Sequence, residues 1–287
     1  MSEPPHLAGE ILSYYERNDE AHRLETSVGL LELARTQEIV RRYLPRPPAI
    51  VLDVGGGPGA HAAWLARDGY EVHLRDPVRR LVDQSQARSA QQPDFPIASS
   101  REGDARAMEV ADESIDAVLL LGPLYHLPDR SDRVRALRET LRVLKPGGVA
   151  LIAAISRYAS LLDGLFRGYL DDPEFAAIVE RDMADGVHHN TSGDLAYFTT
   201  AYFHRAADLA MEINESGLVH DSTLPVEGPG WLLQDFDVHW RDPERRKRLL
   251  DAVRAVENVP SLLGASAHWI AVARKKRSSG GQAALFE

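Results

Sequence analysis

The segment Asp53-Val54-Gly55-Gly56-Gly57-Pro58-Gly59-Ala60 places four glycines within five positions, directly after the apolar run AIVL. Glycine is needed where the main chain takes a positive φ or approaches a ligand too closely for a Cβ. A strand, a bare loop and the start of a helix together make a cradle for a ligand's polar groups. Acids flank it: Asp53 opens the loop, and Asp76 closes the next strand-like run, EVHLRD. Two patterns fit these letters. Gly55, Gly57 and Ala60 satisfy G-x-G-x-x-G/A, with Asp76 where a ribose-binding acid belongs, which points to an NAD(P) dinucleotide and hydride transfer. Asp53, Gly55, Gly57 and Gly59 equally satisfy D-x-G-x-G-x-G. The loop alone does not choose.

Residues further along do. REGDAR follows the next strand-like segment, SIDAVLLLGPLYHL follows that, and RETLRVLKPGGVALIAA supplies a helix, a Pro-Gly-Gly turn and a strand. GLVHDSTLPVE and HWIAVAR form a closing pair of strands. With these motifs in this order over residues 49–156, the chain resembles the class I S-adenosylmethionine (SAM)-dependent methyltransferases. The resemblance implies SAM as cofactor, and a glycine loop that runs beside the sulfonium ligand through Gly55, Gly57 and Gly59. It places Asp53 by the methionine amino group, Asp76 and Pro77 at the ribose, and Asp104-Ala105 at the adenine. Leu121 and Gly122 would offer carbonyls near the ligand amino group. Tyr15 and Arg23, in the leading helices, would close the pocket, with Arg23 a partner for the ligand carboxylate. Asp76 has a competing role as a helix cap, and Arg23 a competing place in solvent.

Methyl transfer from a sulfonium is an in-line displacement whose leaving group is already good, so positioning and desolvation dominate. A base is needed where the acceptor must shed a proton. His126, in GPLYHL, stands where such a base is useful; holding its loop is the alternative. Tyr14 and Tyr125 join it as catalytic candidates. His188, Phe203, His204 and Trp231 are candidates for an acceptor-binding wall, with core packing the competing role. No constellation in the sequence recommends a metal. Leu121-Gly122-Pro123-Leu124-Tyr125 departs from the [N/D]-P-P-[Y/F] of relatives that methylate nucleic-acid amines and glutamine. The expected acceptor is therefore a small molecule, methylated on oxygen, nitrogen or ring carbon (indoles included), in bacterial specialised metabolism. An NAD(P)-dependent oxidoreductase and a non-catalytic SAM-binding module are the alternatives.

These residues require elements to hold them. AIVLDV and IDAVLLL are near-continuous apolar runs, as in strands covered on both faces of a parallel sheet. Together with the helical patterns between them they predict an α/β fold: a doubly wound, seven-stranded Rossmann-like sheet with ligand at the carboxyl ends of its strands. Residues 1–48 read as an N-terminal lid of two helices, 9–24 and a second that Ser27 would cap, ended by PRPP. Residues 49–156 form the cofactor-binding core. Residues 157–205 are a helical cap inserted in the sheet order. Residues 206–274 complete the core, with a second cap segment at 228–262. Residues 275–287, basic and then Gly/Ser-rich, read as a disordered tail.

The chain has 287 residues, 44% apolar and 26% charged, which is ordinary for a globular protein. Its formal net charge of −10 opposes binding by phosphate neutralisation, so no nucleic-acid partner is expected. Cysteine is absent, excluding disulfides and thiolate chemistry. MSEPPHLAGE lacks a basic-then-apolar leader, and no apolar run reaches the length of a membrane span. A cytoplasmic location is the expectation, and a homodimer stays open.

Overall fold

The structure is a computed structural model that describes residues 9–17, 20–190 and 192–277. The reading of residues 1–8 as lid and of 278–287 as tail lies outside the described residues. Helices α1 (Gly9–Arg17), α2 (Glu20–Arg23) and α3 (Gly29–Tyr43) precede strand β1 (Ile50–Val54). Then follow α4 (Ala60–Arg67), β2 (Glu71–Asp76), α5 (Arg79–Ala90), β3 (Ser99–Glu102), β4 (Ile115–Leu120), α6 (Arg130–Val143) and β5 (Leu144–Ser156). The inserted segment holds α7 (Ala159–Arg167), α8 (Pro173–Ala184), β6 (Val187–His188) and β7 (Ala201–His204). The chain closes with α9 (Ala206–Glu215), β8 (Val219–Pro225), α10 (Phe236–Arg241), α11 (Pro243–Val256) and β9 (His268–Arg274).

Strands β3-β2-β1-β4-β5 are parallel neighbours in that order. Strand β9 runs antiparallel beside β5, and β8 antiparallel beside β9. These seven strands are the expected doubly wound sheet. Period-two alternation explains why both faces are buried. Leu52, Val118, Leu120, Ala150 and Ile152 point to the side carrying α6 and α9. Val51, Ala117, Leu119, Val149 and Leu151 point to the side carrying α3 and α4.

Two local expectations need correction. Ser27 does not cap α3: it lies at φ 46°, and Val28 precedes the first helical residue without a side-chain cap. The 13-residue β5 begins at Leu144 and so includes the Pro-Gly-Gly segment read as a turn. Helix α3 also buries two polar residues on its apolar stripe, Arg35 and Thr36. Arg35 reaches the Val226 carbonyl at 3.3 Å and Glu257 at 2.6 Å, tying α3 to the segment after α11.

The inserted segment has its own hydrophobic cluster of Phe175, Ile178, Val179 and Tyr197, and adds a short β6–β7 pair. The pair is fastened to the core by charge. Arg133 of α6 and Glu212 of α9, both 2% exposed, meet at 2.7 Å. Arg133 also donates to the carbonyls of Leu127 and Pro128, and its guanidinium lies 3.6 Å from the Tyr202 ring centre. His204 Nε2 lies 3.2 Å from Glu212. Burial alone would raise the Glu212 pKa; hydrogen bonds from His204 and Arg133, and their charges, hold it well below the usual carboxylate range instead. Removing one partner of such a buried pair leaves the other uncompensated. Glu212→Gln should therefore lower unfolding free energy by about 3–5 kcal/mol in urea denaturation; a loss below ~1 kcal/mol would show that the cluster is not a fastener.

Candidate functional site

A cleft opens along the carboxyl ends of β2, β1, β4 and β5, where a doubly wound sheet offers its loops. Its roughly 1210 Å³ of space includes open solvent at the mouth. Its floor is the glycine loop. Gly55 and Gly57 have φ of 67° and 55°. A Cβ on Gly55 would lie 2.6 Å from the Pro123 ring, so this loop and the one after β4 pack directly together. A Cβ on Gly57 would meet nothing within 4 Å: the bare main chain there faces the open cleft.

Asp53 lies beneath this loop, 1% exposed, and neither carboxylate oxygen has a hydrogen-bond partner. Burial, reinforced by the charge of Asp76 and only weakly opposed by the Ala62 amide, pushes its pKa up to about 7. A buried, unpartnered carboxyl beside the cleft fits a cationic ligand group such as an ammonium. Asp76 accepts from the Gly57 N–H at 2.9 Å and the Val78 N–H at 2.8 Å, so it braces the glycine loop and caps the approach to α5 while lining the cleft. Pro77, Ala105, Leu121 and Gly122 line the cleft as well. Asp104 does too, with its carboxylate held bidentately by Arg106 at 2.9 and 2.7 Å. Gly59 does not line it; its φ of 80° turns the chain into α4.

Beyond the loop the cleft has two walls. One is aromatic. Tyr125 donates to the Leu121 carbonyl at 3.1 Å, and its ring meets His126 at 4.8 Å. His126 lies 2.6 Å, through Nε2, from the Tyr15 hydroxyl. Its Nδ1 faces the Thr200 carbonyl at 3.4 Å, which can only accept, so Nδ1 carries the proton and Nε2 accepts from Tyr15. Burial lowers the His126 pKa to about 4, so the ring is neutral at physiological pH. Tyr14 stands outside the cleft lining, edge-on to Tyr15 and Phe198.

The other wall is charged. Arg23 holds both oxygens of Glu32, at 2.6 and 3.1 Å. His268 Nδ1 lies 2.6 Å from Glu227, which is 1% exposed and is also held by the Ser266 hydroxyl and the His268 main-chain N–H. Burial opposes charge on His268, yet Glu227 and Glu32 raise its pKa to about 9. His61, on the first turn of α4, is lowered to about 4 by burial. Ligand atoms of Glu32, Glu227 and His268 lie within 4.8 Å of one another. The sequence marked only Arg23 of this wall. The other members are single polar residues far apart in the chain; the one available signal was Glu32 interrupting the apolar pattern of α3.

The four residues expected to bind acceptor are placed elsewhere. None lines the cleft. His188 is buried with both nitrogens engaged, by Asp182 and the Tyr197 carbonyl, and stacks on Phe203. His204 belongs to the Arg133–Glu212 cluster, and Trp231 donates to the Ala265 carbonyl at 2.8 Å. They fasten the inserted segments to the core.

A family described as methyltransferase domain matches residues 52–152, which run from β1 into β5. Residues 52–152 are a class I SAM-dependent methyltransferase domain. Among curated relatives, the methyltransferase GfsG of Streptomyces halstedii is 35% identical over 129 residues, 45% of this chain and 42% of its own. The C-methyltransferase UbiE of Acidiphilium cryptum is 31% identical over 122 residues, 42% of this chain and 48% of its own. The chain thus spans under half the length of both relatives. The PH0226 protein of Pyrococcus horikoshii shares the fold with a TM-score of 0.61 at 14% identity, covering 92% of this chain and 99% of its own. The [4+2]-cyclase SpnF does so with 0.54 at 18%, covering 86% and 81%. SAM is the cofactor of the methyltransferase domain, and the buried Asp53 carboxyl and open main chain at Gly57 fit it.

Two measurements probe this domain. The Asp53 pKa is raised above its ordinary value of 3.8, so its contribution to stability is complete below that pH and lost as pH rises through about 7. Asp53→Asn should then raise the unfolding free energy of the cofactor-free protein at pH 8 by ~1 kcal/mol or more, while weakening S-adenosylhomocysteine binding in calorimetry. A destabilised, normally binding variant would contradict this role. For His268 the raised pKa means stability that is complete below 6.5 and lost as pH climbs through about 9. In Glu227→Gln the His268 ring, followed by NMR, should titrate lower by about one unit or more; an unmoved titration would separate the two side chains.

Proposed function

We propose that the chain is a SAM-dependent methyltransferase enzyme acting on a small-molecule acceptor. The observation that carries the reading is continuity: the cleft passes from the glycine loop over Asp53 directly to the Tyr15–His126 pair. A methyl group on a sulfonium held by that loop would face the aromatic wall, with water partly excluded by α1. Within this reading Asp53 holds the methionine ammonium. Asp76 receives the ribose diol with the lone pairs left by its backbone bonds, and Asp104-Ala105 flank the adenine. Leu121 and Gly122 border the amino group, and Arg23 exchanges Glu32 for the ligand carboxylate.

The protein's own contribution to chemistry is proton handling. The Tyr15 hydroxyl donates to His126 Nε2, so Tyr15 oxygen can take an acceptor proton as it passes its own to the imidazole. The His126–Thr200 contact keeps the ring in the accepting tautomer. Tyr125 supports the wall by its ring contact with His126, and Tyr14 by its contact with Tyr15. The aromatic lining of Tyr15, Tyr125 and His126 supports a small molecule over a polymer, and specialised metabolism is the setting we infer. The fold does not set the activity, because SpnF carries a [4+2]-cyclase on a similar one. Incubation with SAM and a pool of phenols, amines and indoles should yield S-adenosylhomocysteine and a methylated product. His126→Ala should lower turnover by roughly 10²-fold or more with cofactor affinity nearly unchanged. An unaltered rate would return His126 to holding its loop.

A further inference from the structure

The aromatic wall depends on a helix with little packing of its own. Helix α1 carries Tyr15 and has nine residues, of which Ile11 alone is fully buried. An isolated helix needs about 12–15 residues to persist in water, so ties to the rest of the chain decide where Tyr15 stands. One tie is to α5, where the Arg80 guanidinium donates to the Tyr15 carbonyl. Others converge on residues 198–200, at the end of the inserted segment.

Thr200, which is buried, serves both sides of the Tyr15–His126 bond. Its main-chain carbonyl receives His126 Nδ1–H at 3.4 Å, and its hydroxyl donates to Glu10 Oε1, on the first turn of α1, at 2.6 Å. A carboxylate only accepts, so the hydroxyl proton points to Glu10 and the oxygen is left to accept from His189 Nδ1, 3.0 Å away. Phe198 repeats the pattern with its ring, whose centre lies 5.6 Å from that of Tyr14 and 5.8 Å from that of His126. Its φ of 66° is uncommon for a bulky residue, and Asn190 Nδ2 holds it there by donating to the Phe198 carbonyl at 2.7 Å. Glu10 and Tyr15 stand about 7.5 Å apart along the axis of α1, so holds at both points fix the direction of the helix as well as its place.

Building on the proton-handling reading, we propose that Thr200 is a positioning residue: with its hydroxyl on Glu10 and its carbonyl on His126, it sets the hydrogen bond between Tyr15 and His126. The inserted segment, none of whose residues lines the cleft, thereby governs the pair inside it. Without the hydroxyl, α1 keeps Ile11 and the Arg80 tie but loses the hold at its first turn, and Tyr15 no longer covers His126. Burial lowers the His126 pKa to about 4, and the Thr200 carbonyl opposes it; Tyr15 and Tyr125 are the titratable side chains against the ring. Uncovering the ring lets its pKa climb back toward the ordinary 6.5.

The test follows the His126 ring by NMR titration in the full-length protein and in Thr200→Val, Thr200→Ser, Glu10→Ala and the Thr200→Val/Glu10→Ala double variant. In Thr200→Val and in Glu10→Ala the ring should titrate higher by about one unit or more. The double variant should move no further than either, because both changes remove the same bond. Thr200→Ser keeps the hydroxyl and should titrate as the parent does. With an acceptor that the parent methylates, kcat should fall about tenfold in the two single variants and recover in Thr200→Ser. Glu10 is exposed, so its replacement leaves the core intact; an unmoved His126 titration in Glu10→Ala overturns the proposal. Additive shifts in the double variant, or a Thr200→Ser that behaves like Thr200→Val, overturn it as well. A parent that turns over no acceptor strikes the methyltransferase reading instead, and the same titrations then still uphold or overturn the role of Thr200.

Discussion

The arrangement of this molecule turns on a carboxyl group that has been taken out of water and given no partner. Asp53 lies at the carboxyl end of β1, one residue before the strand stops, under a loop too bare to shield a ligand from it. Burying an ionisable group without a hydrogen bond is unfavourable, and folding alone recovers nothing for it. The charge of Asp76 on the neighbouring strand adds to the cost. Such a site persists where a bound cation relieves it, and the parallel sheet, packed on both faces, supplies the rigidity to hold it in place.

Around that point the two ends of the cleft are built differently. The cofactor end comes from consecutive βα units, where loop tips converge because parallel strands all end at one edge. The other end comes from pieces remote in sequence: Tyr15 from α1, Glu32 from α3, His126 after β4 and His268 on β9. Long-range fasteners hold those pieces, notably Arg35 with Glu257 and Arg133 with Glu212. A half built from consecutive βα units and a composite half let helices and loops change with the glycine loop untouched.

This division also explains what could be read before the structure was known. The strands, the glycine loop, Asp76 and Asp104 are legible because each signal is local: an apolar run, a φ requirement, an acid at a strand end. His188, Phe203, His204 and Trp231 were misplaced for a physical reason. A histidine or aromatic ring in an inserted segment serves a cleft and a seam equally well, and only packing decides. His188 and His204 each found acids, Asp182 and Glu212, that draw them inward. The pairing of Glu227 with His268, and of both with Glu32, is set by tertiary proximity across more than half the chain and leaves no short-range trace.

The most direct measurement is a crystal structure of the protein soaked with S-adenosylhomocysteine. The account predicts the homocysteine ammonium within about 3 Å of an Asp53 oxygen, the ribose at Asp76 and the base beside Asp104 and Ala105. It would be contradicted if the nucleoside lay elsewhere with Asp53 still unpartnered, or if the glycine loop instead took the pyrophosphate of a dinucleotide.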